Sequence, residues 1–313
     1  MTQLSSDSSL KGYDSQQASA WRARWVGEDD VVNTGDVLID THDLDVAVRT
    51  ASTPRLVVLD VRWRLGGPPP AELYASGHLP GAVGVDLDRD LAAPVGDGSR
   101  GRHPLPEPGA LQEALRRWGI NEDSSVVAYD DADGSSAARA WWVLRWAGLR
   151  DVRVLDGGMA AWTAAGLPLT AEVPSPEPGD VLVRPGAMPV LDAESTAGLV
   201  AGGGTLLDAR VEPRYRGEVE PVDPVAGHIP GAANLPFGSL ADGGRFLARD
   251  ELQERLTAAG ATQGADVVAY CGSGVTAAVV VAAAEAAGIS GMRVYAGSWS
   301  EWCRTGLPAA SGP

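Results

Sequence analysis

The sequence predicts an α/β protein of two tandem domains, each a mainly parallel sheet flanked by helices, and three observations lead there. Apolar runs at 56–61, 126–129, 152–155 and 267–270 are short and β-branched, without polar alternation, as in strands buried on both faces. Segments of helical length, 109–118 and 135–146 among them, fall between these runs. Four blocks then recur in the same order roughly 140–150 residues later, a domain-sized period and not a solenoid repeat.

The recurrences are specific. Leu59-Asp60-Val61-Arg62 returns as Leu207-Asp208-Ala209-Arg210, and Gly77-His78-Leu79-Pro80-Gly81-Ala82 as Gly227-His228-Ile229-Pro230-Gly231-Ala232. Val126-Val127-Ala128-Tyr129 returns as Val267-Val268-Ala269-Tyr270, and Gly166-Leu167-Pro168 as Gly306-Leu307-Pro308, with Trp162 matching Trp302. Residues 1–35 are polar and read as a partly disordered arm, with Trp21 and Trp25 on a short segment that docks on the body or takes a partner. Residues 36–171 form the first domain. The proline-rich, charged stretch Glu172-Val173-Pro174-Ser175-Pro176-Glu177-Pro178-Gly179 opens a linker at 172–187, and 188–313 is the second domain.

Composition narrows the function classes. Of 313 residues, 44% are hydrophobic and 21% charged, enough apolar material for two cores. The formal net charge of −16 disfavours nucleic acid and anionic membranes as partners, whereas a local arginine cluster can still attract a small anion. No apolar run reaches bilayer length and the first residues lack a secretory pattern, so a cytoplasmic location is expected. Two cysteines, Cys271 and Cys303, and four histidines, His42, His78, His103 and His228, offer neither a disulfide framework nor zinc-ligand spacing. No metal or organic cofactor is expected.

The chemistry concentrates at 267–278. A short apolar strand delivers Cys271 into the turn Gly272-Ser273-Gly274, and an Ala/Val helix follows through Val275 and Thr276. A sulfur at that point meets unpaired helix N–H groups and the positive end of the helix dipole, both of which favour a thiolate. The glycines let the loop turn several amides inward as an anion nest. The alternative, a buried structural cysteine, is disfavoured by this setting. Aligning Tyr129 with Tyr270 puts Asp130 opposite Cys271, so the first domain has the loop without the thiol and is expected to be catalytically silent, a wall of an interdomain cleft. His78 and His228 sit in the repeated turn block, where a bond from ring to backbone carbonyl explains their presence in both halves. Asp208 and His78 are nevertheless kept as possible supports of the site, His78 as a residue able to face the other domain's loop.

Leu-Asp-Ala-Arg at 207–210, Gly-His-Ile-Pro-Gly-Ala at 227–232, Cys-Gly-Ser-Gly-Val-Thr at 271–276 and Gly-Ser-Trp at 297–299, all in tandem with a degenerate copy, resemble the two-domain rhodanese family of sulfurtransferases. The resemblance covers about Val37 to Leu307 and implies a rhodanese fold in each half, with a persulfide carried on Cys271. It also sorts donors: thiosulfate enzymes typically place two basic residues after the cysteine, whereas Gly272-Ser273 is similar to the loop of 3-mercaptopyruvate sulfurtransferases. Mercaptopyruvate carries one carboxylate, which one arginine and backbone N–H groups can hold, and Ser273 can bond the keto oxygen or pass a proton to the leaving enolate. The position of Arg214 matches the family's substrate-binding arginine, with Arg216 as a neighbouring candidate; the alternative for both is an ion pair with Glu212, Glu218 or Glu220. The chain departs from mercaptopyruvate-type members at 220–225, where Glu-Pro-Val-Asp-Pro-Val stands in place of a second arginine. The acceptor implied is a thiol, cyanide or a reduced protein dithiol, and thiosulfate as donor through the same persulfide is the alternative.

Other readings meet specific obstacles. Cysteine phosphatases close their loop with an arginine six residues after the cysteine, and position 277 is alanine. A non-catalytic binding module leaves Cys271 unexplained, although it suits the first half. Cys303 aligns with Thr163, so a thiol is not demanded there, and Gly157-Gly158 lacks the lysine of a phosphate loop.

Overall fold

The structure is a computed structural model that describes residues 37–50 and 56–313; the arm with Trp21 and Trp25 lies outside the described residues. Two five-stranded, all-parallel sheets organise it. In the first, β1 (Leu38–Ile39), β2 (Leu56–Asp60), β3 (Val83–Gly84), β4 (Ser125–Tyr129) and β5 (Val152–Leu155) lie in the order β1-β5-β4-β2-β3. The second sheet contains β6 (Val190–Leu191), β7 (Thr205–Asp208) and β8 (Ala232–Asn234). After a separate antiparallel hairpin of β9 (Ala241–Asp242) and β10 (Arg245–Phe246), it is completed by β11 (Val267–Tyr270) and β12 (Arg293–Tyr295). Its order, β6-β12-β11-β7-β8, is that of the first sheet strand for strand. The register repeats as well, Leu59 pairing with Ala128 and Leu207 with Ala269.

The helices Ser135–Trp146 and Ala277–Ala286 pack on each other, and one apolar cluster runs through both halves. This explains why Ala277 to Ala284 carries no polar face: the helix is buried on every side, as an all-apolar helix must be. Trp141 and Trp142 are fully buried in that cluster, and each side chain of that size contributes on the order of 2–3 kcal/mol. Two smaller clusters back the outer faces of the sheets.

Two features add to the sequence expectation. The stretch after Glu172 does not swing free: Gly179 N–H donates to Arg116 O (2.8 Å), Arg184 N–H to Ala147 O (2.8 Å), and the Arg116 guanidinium to Val181 O (3.0 Å). An extended proline-rich segment leaves its backbone groups unpaired, so it takes partners from the surface it crosses. The β9–β10 hairpin was not anticipated, although Asp242-Gly243-Gly244 is a hairpin signal; Gly243 and Gly244 both have positive φ (55° and 81°), as a two-residue type I′ turn requires. Its Phe246 N–H bonds Asp156 of the N-terminal half at 2.9 Å.

Candidate active site

Cys271 follows β11, the middle strand of its sheet, and so lies at the carboxyl end of the strands, where open α/β sheets place ligands. Its Sγ accepts the Gly274 N–H at 3.1 Å. Gly274 has φ +83°, and a Cβ there would stand 2.5 Å from Ala296 O, so the turn that aims this amide needs glycine on both counts. The strand β12 and the turn after it brace the loop: Cys271 N–H bonds Ser298 Oγ (3.1 Å), Trp299 N–H bonds Cys271 O (2.9 Å) and Ser300 N–H bonds Gly272 O (2.9 Å). Ser298 is the one non-glycine with positive φ (53°) among the described residues; its counterpart in the other half is Gly158, at φ 54°. Holding a serine in that conformation costs about 1–2 kcal/mol, and the bond to Cys271 N–H is what the position gains in return. Val275 is buried, and Thr276 is the more exposed residue at the helix start.

The N-terminal half reaches this loop with residues outside the repeated blocks. His103 Nδ1 lies 2.8 Å from Ser273 Oγ, and its Nε2 lies 3.0 Å from Asp88 Oδ1. An ionised carboxylate only accepts, so Nε2 carries the proton and Nδ1 accepts from the Ser273 hydroxyl. Burial pushes His103 below its usual range, against the pull of Asp88; the bond from His103 in turn holds Asp88 below the ordinary carboxylate range. Trp63 fixes the geometry, donating to Asp88 Oδ2 at 2.8 Å with its ring edge-on to His103. Beneath the loop, Arg139 is fully buried and donates to Gly274 O (3.1 Å), Leu91 O (3.2 Å) and His103 O (3.2 Å). Burial drives its guanidinium down to about 10, and its interaction with Cys271 works against that.

Arg214 is where the sequence put it, with Nη1 3.4 Å from the point a Gly272 Cβ would occupy, and it is held by Glu220 at 2.7 Å. The ion pair with Glu220 is present, and it holds the guanidinium beside the loop. Arg216 instead pairs with Glu212 on an exposed face, away from the loop. Asp208 grips Arg210 through bonds of 2.6–3.1 Å, as Asp60 does Arg62, so it belongs to the scaffold of both halves. His78 does not face the other half: its ring stacks on Tyr74 and reaches the carbonyls of Tyr74 and Glu172, as His228 stacks on Tyr215 and bonds its carbonyl. The histidine that crosses the interface is His103, and its signal in the sequence was that the repeat leaves it without a partner. Cys303 is half-buried, 3.8 Å from Ser300 O, and burial pushes its thiol up.

The equivalent loop in the first half carries Asp130 where the second carries Cys271. Asp130 turns its carboxylate into the nest and accepts the amides of Ala132 (2.9 Å), Gly134 (3.1 Å), Ser136 (3.1 Å) and Ala137 (3.0 Å). Burial raises this carboxyl and those amides oppose it. The anion site is thus filled from within by the chain's own oxygen atoms.

Fold and site together define a duplicated α/β protein in which one of two nucleophile loops keeps its sulfur and the partner half completes the constellation. The rhodanese-like domain profile matches residues 44–165 and 192–305, and the chain belongs to that family. A Pseudomonas aeruginosa protein, provisionally named a 3-mercaptopyruvate sulfurtransferase, is 52% identical over 256 residues, covering 80% of this chain and 90% of the relative. A Mycobacterium tuberculosis relative, provisionally named a thiosulfate sulfurtransferase, is 48% identical over 274 residues, covering 86% and 94%. The crystal structure of the 3-mercaptopyruvate sulfurtransferase SseA from Escherichia coli superposes with a TM-score of 0.74 at 29% identity, covering 84% of this chain and 99% of that one.

Proposed function

We propose that the protein is a sulfurtransferase that moves sulfane sulfur from 3-mercaptopyruvate to a thiol, cyanide or protein dithiol through a persulfide on Cys271. The observation that carries this reading is a cysteine Sγ under an inward amide, next to a serine that is hydrogen-bonded into a His103–Asp88 pair. The Cys271 thiolate attacks the donor sulfur, the sulfur–carbon bond breaks, and its electron pair leaves as pyruvate enolate. The donor's S–H proton passes through Ser273 to His103 Nδ1 and returns to the enolate as pyruvate forms, while Asp88 steadies the transient imidazolium. Cys271 is left as a persulfide anion. A thiolate or cyanide then attacks the outer sulfur, the S–S bond breaks, and the Cys271 thiolate is regenerated.

Arg214 orients the donor carboxylate, and the Gly274 amide, which bonds Cys271 Sγ, faces the charge left behind. Gly272 and Ser273 bring no charge of their own, which suits a monoanionic donor better than doubly charged thiosulfate. The name of the Mycobacterium tuberculosis relative supports thiosulfate as the second reading. Residues 36–171 act as the silent domain, 172–187 as the connection and 188–313 as the catalytic domain. A reducing cytoplasm suits a chain whose Cys271 and Cys303 are both free thiols. The test is mass spectrometry of the protein after exposure to each donor. One added sulfur on Cys271 from mercaptopyruvate, absent in Cys271→Ser, is the expected result; no added sulfur from either donor would overturn the mechanism.

A further inference from the structure

We propose that Arg102, a residue of the N-terminal half, is a second guanidinium that grips the donor's carboxylate, so that donor recognition is assembled across the two halves. The proposal rests on the sulfurtransferase reading above and adds to it a binding residue from the half that carries no nucleophile.

The segment that delivers Arg102 is pressed onto the catalytic half. Gly101 has φ +81°, and a Cβ there would stand 2.6 Å from Gly297 O and 2.8 Å from Ser300 Oγ, so only glycine permits the approach. The next amide, Arg102 N–H, bonds Ser300 Oγ at 3.0 Å. From this anchored backbone the side chain projects over the residue after the nucleophile: Arg102 Nη2 lies 3.0 Å from the Cβ position of Gly272, beside Arg214 Nη1 at 3.4 Å. Two guanidiniums from two different halves therefore converge on one point of the loop. A residue with any side chain at 272 would fill the space they share.

Asp223 sets this arrangement up. Its carboxylate is 1% exposed and pairs with Arg102, with Arg214 at 3.4 Å and with Arg304 at 3.9 Å. The contact to Asp223 uses Nη1 of Arg102, which leaves Nη2 towards Gly272, and Nε is buried without a hydrogen-bond partner. A guanidinium serving only as a clamp between halves would be expected to spend its donors on the partner carboxylate, as Arg62 and Arg210 do. Nη2, the nitrogen that faces Gly272, is the one left to meet an acceptor arriving at the loop.

The charge count agrees. Arg102, Arg210, Arg214 and Arg304 are connected to Asp208, Glu220 and Asp223 in one ion-pair network, four cations against three anions. The excess is one positive charge, which a single carboxylate neutralises, and Arg102 and Arg214 keep about a fifth of their side-chain surface open to receive it. Arg102 also precedes His103 directly, so one short segment of the N-terminal half supplies both the carboxylate grip and the partner of Ser273.

The experiment compares two donors that differ only in that carboxylate, 3-mercaptopyruvate and mercaptoacetone, on full-length wild type, Arg102→Gln and Arg102→Lys, with thermal melting as the check of folding. Arg102→Gln is expected to raise KM for mercaptopyruvate by roughly 10- to 100-fold, with kcat within about threefold and turnover of mercaptoacetone within about twofold of wild type. Arg102→Lys is expected to recover part of the loss. Calorimetric titration with pyruvate, which has the carboxylate and no sulfur, should show the same weakening, and this readout does not depend on any turnover. Equal losses on both donors, or unchanged KM and unchanged pyruvate affinity in both variants, would overturn the role of Arg102. Absence of persulfide in the wild type would instead overturn the sulfurtransferase reading, with the pyruvate titration still deciding on Arg102.

Discussion

Gly274 and Gly134 provide a matched pair for testing whether the catalytic loop is built around one amide. Both glycines have left-handed backbones, φ +83° and +80°, and each donates its N–H to the first residue of its loop, to Cys271 Sγ and to Asp130 Oδ1 respectively. An added methyl costs about 1 kcal/mol at either position for the left-handed conformation. At Gly134 nothing else stands within 4 Å, so Gly134→Ala should stop at that figure. At Gly274 the methyl would meet Ala296 O at 2.5 Å and Arg139 Nη1 at 3.3 Å, contacts that only a backbone shift can relieve. Overpacking of this kind adds about 1–3 kcal/mol, for a total of about 2–4 kcal/mol. Because the shift carries the Gly274 amide off the sulfur, persulfide formation should slow by roughly 10²- to 10³-fold, the usual effect of losing one such donor. The assay is urea unfolding of both variants beside single-turnover sulfur transfer from mercaptopyruvate. Equal stability losses in the two variants, or a Gly274→Ala enzyme that forms its persulfide at the wild-type rate, would refute the reasoning.

Three further outcomes follow from the interface. His103→Gln keeps a bond to Ser273 without a titrating ring, and it should lower kcat by roughly 10²- to 10⁴-fold and remove the acid limb of the pH–rate profile, which in the wild type marks protonation of Nδ1. Stability should follow the same group: burial lowers His103 in the folded chain, so the unfolded chain binds the proton first, and the stability present above the ordinary histidine range is lost as pH falls through it. Melting temperatures measured between about pH 7.5 and 5 should show this slope in wild type and a flatter one in His103→Gln. Ser298→Ala retains the positive φ and orphans the Cys271 N–H, for a loss of about 1–3 kcal/mol; Ser298→Gly should lose less by the relieved backbone term, and the reverse order in unfolding experiments would contradict the strain argument.

The parallel α/β class, the duplication and the position of the nucleophile were legible in the amino-acid order because each is a local or periodic property. A β-branched apolar run ends in Cys271, glycines follow, and the same blocks recur at a domain-sized spacing. The difference between the two loops was legible too, since Asp130 occupies the position aligned with Cys271, although only the folded loop reveals that its carboxylate takes four amides for itself. Arg214 was singled out by the family resemblance, and the structure places its guanidinium beside Gly272.

His103, Asp88, Arg139 and Arg102 were not found, and the reason is physical. All four belong to the half without a nucleophile, and they meet the Cys271 loop only because the helices Ser135–Trp146 and Ala277–Ala286 bury their apolar faces against each other. Hydrophobic burial has no direction and leaves no mark in the sequence of which polar groups it will bring together. The chain order by itself determined which half carries the cysteine loop and which carries Asp130 in its place. The packing of one half on the other decided which proton carrier and which charges surround that sulfur, because those contacts span more than 100 residues of sequence and exist only across the shared core.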